Sequence, residues 1–430
     1  MEHGSNRERK IMQKGVLEVM KEKRFKTWIK VLLFLLFMTA AVAAAVRIGR
    51  RKFENYVEEQ KRNRIQEVIG QDFYPVFEVM KKSGYQESAP YVFQKEVSGK
   101  RIEVVFDFTE KVCRKNLYEF SLHNGFWIEQ ENYYVRRDIL ESILNCTLKF
   151  VDGIVVSRPI EFETHAWTRY PSLIAHAGGS VREKKYNAHY TNSLEAIVTN
   201  YNLGHRVFEV DFYLTSDEKL AAVHDWEKFG NQDGTPLSSE QWKQLGAVSS
   251  PETEGRYTAV FVEDILDEML VNRDLFLVTD TKSFEFTEEE TKKQFQIIVE
   301  EAKKRDVELL DRIIPQIYHE EMYDLLQTIY EFPSIIYTVY ATETPADQVI
   351  SFAGGKDQIK VITAPAKDKR FDEAAIASLH GAGLLFYTHT IQTYDKLTKG
   401  RAKGVDGFYT GLLLPRDMET YNHIEEKQEF

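Results

Sequence analysis

Six residues between positions 176 and 282 have side chains suited to one kind of chemistry: His176, Glu209, Asp211, His224, Asp280 and Lys282. Glu209 and Asp211 are two apart, as are Asp280 and Lys282, which places each pair on one face of an extended strand. Two carboxylates side by side in a cleft repel each other unless protons or a cation compensate. A divalent metal ion with oxygen ligands is the simplest compensation. A metal and a lysine together neutralise a phosphoryl group, and paired histidines can move protons near neutral pH. The set therefore points to metal-assisted phosphoryl chemistry.

The elements that must position these residues are short apolar runs separated by amphipathic stretches. The runs are SLIAH (172–176), VFEVDF (207–212), LFLVTD (275–280), RIIPQIY (312–318), SIIYTVY (334–340), KVITAP (360–365), LLFYTHT (384–390) and GVDGFYT (404–410). Near-continuous apolar runs read as parallel strands buried on both faces. Eight of them alternating with helix-length segments such as Thr191–Leu203, Thr287–Arg305 and Phe371–His380 predict an α/β fold, a (β/α)8 TIM barrel over 166–420. Catalytic groups of such a barrel sit at the C-terminal ends of the strands, where the six residues fall. His176 is followed by Ala177, Gly178 and Gly179, and glycines there let backbone approach a ligand closely. His389, at the end of the seventh run, can also line that pocket. His165, His189, His205 and His380 lack such partners and read as structural, and Trp226 and Trp242 read as packing for the segment after the second strand. The TEEE stretch at 287–290 reads as a solvated helix N-terminus.

The stretches IAHAGG (174–179), TNSLEAI (191–197), FEVDFYLTSD (208–217), AAVHDW (221–226), VTDTK (278–282) and GVDGFYT (404–410) occur in the order found in glycerophosphodiester phosphodiesterases, which this segment resembles. That family lies within the superfamily that includes phosphatidylinositol-specific phospholipase C. The resemblance implies a metal-dependent phosphodiesterase acting on glycerophosphodiester-like, lipid-headgroup or envelope-polymer bonds. It implies His176 and His224 as the acid/base pair and Glu209, Asp211 and Asp280 as ligands of Ca2+ or Mg2+. Lys282 and the backbone at Gly178 would contact substrate. Three positions depart from the family pattern: Ala177 replaces an arginine, Asp280 a glutamate, and Gly411 an aspartate. Arg182, in the following loop, is the candidate to restore the missing positive charge. The alternative is a non-catalytic receptor or scaffold that binds a phosphorylated ligand in the barrel.

Upstream, Trp28–Val46 (WIKVLLFLLFMTAAVAAAV) has the length and composition of a transmembrane helix, with basic flanks on both sides. A cleaved signal peptide is the rival reading. The expected order is a basic cytoplasmic segment (1–27), the membrane helix (28–46), a stalk helix (47–71) able to self-associate into a homo-oligomer, and a small α+β domain (72–165). The catalytic domain is then extracytoplasmic on a single-pass cell-membrane protein. Within 72–165, Arg101–Phe108, Phe126–Ile128 and Leu148–Val156 read as strand-like and Val135–Leu144 as helical. The two cysteines, Cys113 and Cys146, read either as one bridge outside the cytoplasm or as two buried thiols. A net charge of -11 excludes nucleic acid as the main partner.

Overall fold

The computed structural model describes residues 72–416 and 418, apart from breaks at 130–131, 152–153, 170–172, 183–186 and 247–256, and a few residues nearer the N-terminus (28, 38–39, 46–53 and 56). Met1–Asp72 and Phe73–Phe430 are separate compact units. The expected membrane helix at 28–46 and stalk at 47–71 lie mostly outside the described residues. Among those described, no helix is long and apolar enough to cross a membrane.

Each of the eight apolar runs forms a strand: β1 (Leu173–Ala175), β2 (Val207–Leu214), β3 (Phe276–Asp280), β4 (Ile313–Ile317), β5 (Ile335–Thr338), β6 (Ile359–Pro365), β7 (Leu385–His389) and β8 (Gly407–Thr410). All are parallel to their neighbours, and β1 pairs with both β2 and β8, so the sheet closes into the expected barrel. The crossovers carry α1 (Leu194–Asn202), α2 (Val262–Val271), α3 (Glu288–Arg305), α4 (Glu320–Gln327), α5 (Ala346–Gly354), α6 (Glu373–Gly381) and α7 (Tyr394–Ala402). The TEEE stretch opens α3, where Thr287 and Glu290 form a reciprocal capping box.

Period-two alternation sorts each strand into two layers. Phe208, Val210 and Phe212 of β2 belong to the core outside the barrel, whereas Val207 points inward with Ile174, Phe276, Val278, Ile314, Ile336 and Val361. Burying each such side chain contributes about 1.5–3 kcal/mol, enough to fix the register of every strand. Trp167, just before β1, joins the inner cluster and donates from Nε1 to Ser334 Oγ at 2.8 Å. The inward polar residues lie further along the strands, at the C-terminal ends.

After β2 the chain doubles back as a short antiparallel strand, Leu220–Ala222, paired to Phe212–Leu214. Trp226 and Trp242 pack edge-to-face behind it with ring centroids 5.6 Å apart, and both are buried, as their sequence context led us to expect. Val223 N then donates to Asp211 O at 3.0 Å, which brings His224 back to the barrel mouth.

Residues 73–159 combine a five-stranded antiparallel meander (Gln86–Ser121), a three-stranded sheet and the helices Val76–Lys82 and Arg137–Leu144. Two local expectations change. Leu148–Val156 is not one strand: Cys146–Val151 and Ile154–Pro159 pair antiparallel, and Asp-Gly at 152–153 is the sequence signal for a hairpin. The helix expected from Val135 starts at Arg137, because Val135 is a buried strand residue paired with Tyr74 and Phe126. Cys113 and Cys146 are both buried free thiols, so no bridge links them.

Candidate active site

The C-terminal strand ends open onto a cavity of about 450 Å3 whose lining includes His176, Glu209, His224, Asp280, Lys282 and His389. The parallel register explains the convergence. Asp211 pairs directly with Asp280 across β2 and β3, so both side chains share the inner face of adjacent strands. Ala175 of β1 pairs with Phe208, which sets the following residue, His176, beside Glu209. Carboxylate oxygens of Glu209, Asp211 and Asp280 all lie within 4.8 Å of one another, and all three residues are buried.

Lys282 is the cation among them. Its Nζ lies 2.9 Å from Asp211 Oδ1 and 2.5 Å from Asp280 Oδ2. Burial disfavours its charge, but Asp211 and Asp280 outweigh that and hold the ammonium well above its ordinary value. Burial likewise pushes the Asp211 carboxyl up, yet Lys282 and the two histidines bring it down to about 2. Glu209 has no such partner. Burial, then Asp211 and Asp280, drive its carboxyl well above the usual range, and its Oε1 is buried without a hydrogen bond. Its Oε2 accepts from Ala177 N at 2.8 Å.

The histidines differ in setting. His176 bonds through Nδ1 to Thr390 Oγ1 at 2.9 Å, and its Nε2 lies 3.8 Å from Glu209 Oε2. Burial lowers its pKa to about 4, so the ring is neutral at pH 7. His224 is more open, and its Nδ1 lies 2.7 Å from Asp225 Oδ2, which also caps the following helical turn.

Other expected residues are placed differently. Gly178 has φ +80°, but it is absent from the cavity lining: the position of an added Cβ faces Ala196 of α1 at 3.2 Å. That side of the residue therefore packs against α1. Ala177 is also buried, with φ 50°, so among the cavity-lining residues Lys282 is the one lysine or arginine. The side chain of Arg182 lies outside the described residues. His389 does line the cavity, whereas His165, His189, His205 and His380 do not. Those four bond to groups elsewhere, for example His205 Nε2 to Leu413 O at 3.0 Å and His380 Nε2 to Asp406 Oδ2 at 2.8 Å.

Several positioning residues went unassigned in the sequence. Asn192 clamps Asp211 twice: its Nδ2 donates to Oδ2 at 3.0 Å, and its Oδ1 accepts from the Asp211 amide at 3.1 Å. The TNSLEAI stretch held that signal. Tyr318 donates to Asp280 Oδ1 and accepts from Lys282 N, and Thr390 orients His176.

The glycines make a stability test. Gly179 has φ +85°, and an added Cβ would lie 2.4 Å from Asn200 Nδ2. That amide is already tied to the carbonyls of Gly178, Ser180 and Ala196. Gly179→Ala is expected to lower unfolding free energy by about 1–3 kcal/mol, through overpacking and left-handed strain, as read from a urea midpoint at unchanged slope. An unchanged midpoint would show that Asn200 can retreat.

In comparisons with known proteins, the model of the glycerophosphoryl diester phosphodiesterase family matches residues 179–411, beginning just after His176. No curated protein sequence matches. Among solved structures, a glycerophosphodiester phosphodiesterase from Parabacteroides distasonis aligns at 16% identity and TM-score 0.46, covering 59% of this chain and 98% of its own. A phosphodiesterase from Oleispira antarctica, solved with the product sn-glycerol-3-phosphate, aligns at 16% identity and TM-score 0.44, covering 59% and 97%. A Thermotoga maritima glycerophosphodiester phosphodiesterase aligns at 18% identity and TM-score 0.41, covering 56% and 94%.

Proposed function

Since this chain belongs to the glycerophosphoryl diester phosphodiesterase family and is therefore a phosphoric diester hydrolase, we propose that it cleaves glycerophosphodiester-like bonds with a divalent cation and two histidines. One observation carries the reading: a buried cluster of three carboxylates, two of which line a single cavity together with a lysine and the two histidines.

A divalent cation fits the donor set. Three adjacent buried carboxylates share one ammonium, and the buried Glu209 Oε1 has no hydrogen-bond partner. Glu209, Asp211 and Asp280 would hold Ca2+ or Mg2+, which when bound supplies positive charge to the phosphoryl oxygens. Lys282 adds a second positive centre for the phosphate. His176, kept neutral by burial, accepts the proton of the attacking water or neighbouring substrate hydroxyl at Nε2, with Nδ1–H directed to Thr390. His224 donates a proton to the leaving oxygen, with Asp225 holding its Nδ1–H. The receptor reading is not favoured, because the family is hydrolytic and the proton-transfer groups are present.

The apolar run Trp28–Val46 supports an anchored, extracytoplasmic enzyme, whose substrates would be lipid headgroups or envelope polymers held near it by tethering. Hydrolysis of glycerophosphocholine is expected to vanish after dialysis against EDTA and to return with Ca2+ or Mg2+. Full turnover in metal-free buffer would refute the metal-dependent reading.

A further inference from the structure

A second polar cavity, of about 350 Å3, lies between the small domain and the opposite end of the barrel. Its barrel wall comes from Arg273 and Arg312, which precede β3 and β4 at their N-terminal ends, away from the site described above. Its other wall comes from the meander, through Lys95 and Lys115, and from Asn145 and Cys146. Five cations line it, counting Lys82, against one carboxylate, Asp306. That concentration occurs in a chain whose net charge is -11.

The charges are only partly compensated: Arg312 Nη1 donates to the carbonyls of Met269, Asn272 and Leu275, and Lys95 Nζ to Ser83 O, but no carboxylate pairs with either among the described residues. Lys115 is almost fully buried, yet its ammonium, with three donors, has Asn145 Oδ1 at 2.9 Å as its hydrogen-bond partner. The carboxylate that most favours its charge, Asp274, is already held by Tyr201 at 2.6 Å and Arg206 at 2.7 Å. Arg273 Nε is buried without a hydrogen bond, although its Nη2 reaches Glu308 outside the cavity at 2.6 Å. Burial, then the neighbouring Arg273, pull Lys95 below its ordinary pKa, and burial brings Lys115 down to about 8. Converging cations that repel one another in a half-closed cavity are the complement of a compact dianion, and Lys with Arg is the side-chain set that binds phosphate.

We propose that this cavity is a second anion site, taking a phosphate or phosphomonoester group between the meander and the barrel floor. The cations arrive from separate elements, so a bound anion ties the two parts together. Lys95 and Arg273, both part-exposed, are the entrance pair, and Lys115 is the buried anchor.

Titration calorimetry of the full-length chain with inorganic phosphate and with glycerol 3-phosphate tests this. Arg273→Gln and Lys95→Gln are each expected to weaken binding about ten- to a hundredfold, the loss of one charge-assisted hydrogen bond. Their kcat/KM on glycerophosphocholine at low product should stay within about twofold, since surface changes away from the chemistry are near neutral. Vesicles carrying phosphatidic acid form a second arm, with phosphatidylcholine vesicles as control. Binding to vesicles but not to soluble phosphate, lost in the same variants, assigns the group to a lipid headgroup. Absence of binding in both arms overturns the proposal, as does binding that survives in both variants but disappears in His176→Ala.

Discussion

A His176→Ala chain is expected to fold normally and to lose about 10²- to 10⁴-fold in kcat, the usual contribution of a general base. The imidazole lies within the cavity against Glu209 and Thr390, and burial lowers its pKa to about 4, which leaves the ring neutral at pH 7, as the proposed proton acceptor must be. His389, the nearest alternative by charge coupling, is also buried and bears on His176 only as a second ring in the same cavity. KM should change little, because the phosphate is held by other groups. His224→Ala should cost a similar factor, and the double variant should cost less than the product of the two, since acid and base act in one step. His205→Ala, whose ring bonds to a backbone carbonyl away from the cavity, is the control expected to retain kcat. If His176→Ala keeps wild-type kcat, the proton-transfer assignment is wrong.

Lys282→Met should have the largest effect on stability. The side chain is 9% exposed and neutralises Asp211 and Asp280 at the same time. Removing one partner of a buried ion pair costs about 3–5 kcal/mol, because the remaining charge is left uncompensated in the interior. Here two carboxylates lose their ammonium, and Glu209 stands beside them. In EDTA the variant is therefore expected to unfold at markedly lower urea than wild type. Added Ca2+ or Mg2+ should reduce the deficit, because a cation that binds only the folded state stabilises it by about 2.7 kcal/mol at a hundred times its dissociation constant. Urea curves with and without metal make the comparison. An equal deficit in both conditions would mean that lysine and metal do not share these carboxylates. Turnover should also fall even where stability is rescued, since the phosphate loses its lysine.

Much of the barrel could be read from the chain because buried parallel strands leave a simple record. VFEVDF and LFLVTD begin apolar on both faces, and charged residues appear only at the later inward positions. Glu209, Asp211 and Asp280 interrupt that pattern at strand ends and were identifiable for this reason. Asn192 was harder to assign. Its spacing from Asp211 reflects the length of α1 and its loops, so nothing local in the sequence records the two hydrogen bonds between them. Tyr318 and Thr390 reach Asp280 and His176 from just past the ends of β4 and β7, and sheet pairing, for Thr390 the closure of the barrel, brings them to the site. At Gly178 the structure adds a second constraint that the sequence does not record: α1 packs against the side where a Cβ would sit.

The sequence by itself determined the strand count, the parallel order and the strand ends at which chemistry could occur. These follow from short-range periodicity and from the cost of burying charge. Only the tertiary structure decided which charges meet. The register of β2 on β3 sets Asp211 against Asp280, and the left-handed backbone at Lys282 accompanies an ammonium placed between them. Packing of the meander on the barrel gathers Lys95, Lys115, Arg273 and Arg312 at its far end from positions as distant in sequence as 95 and 312. Coulomb energy depends on distance through space, and sequence separation constrains that distance only within a strand or a helical turn.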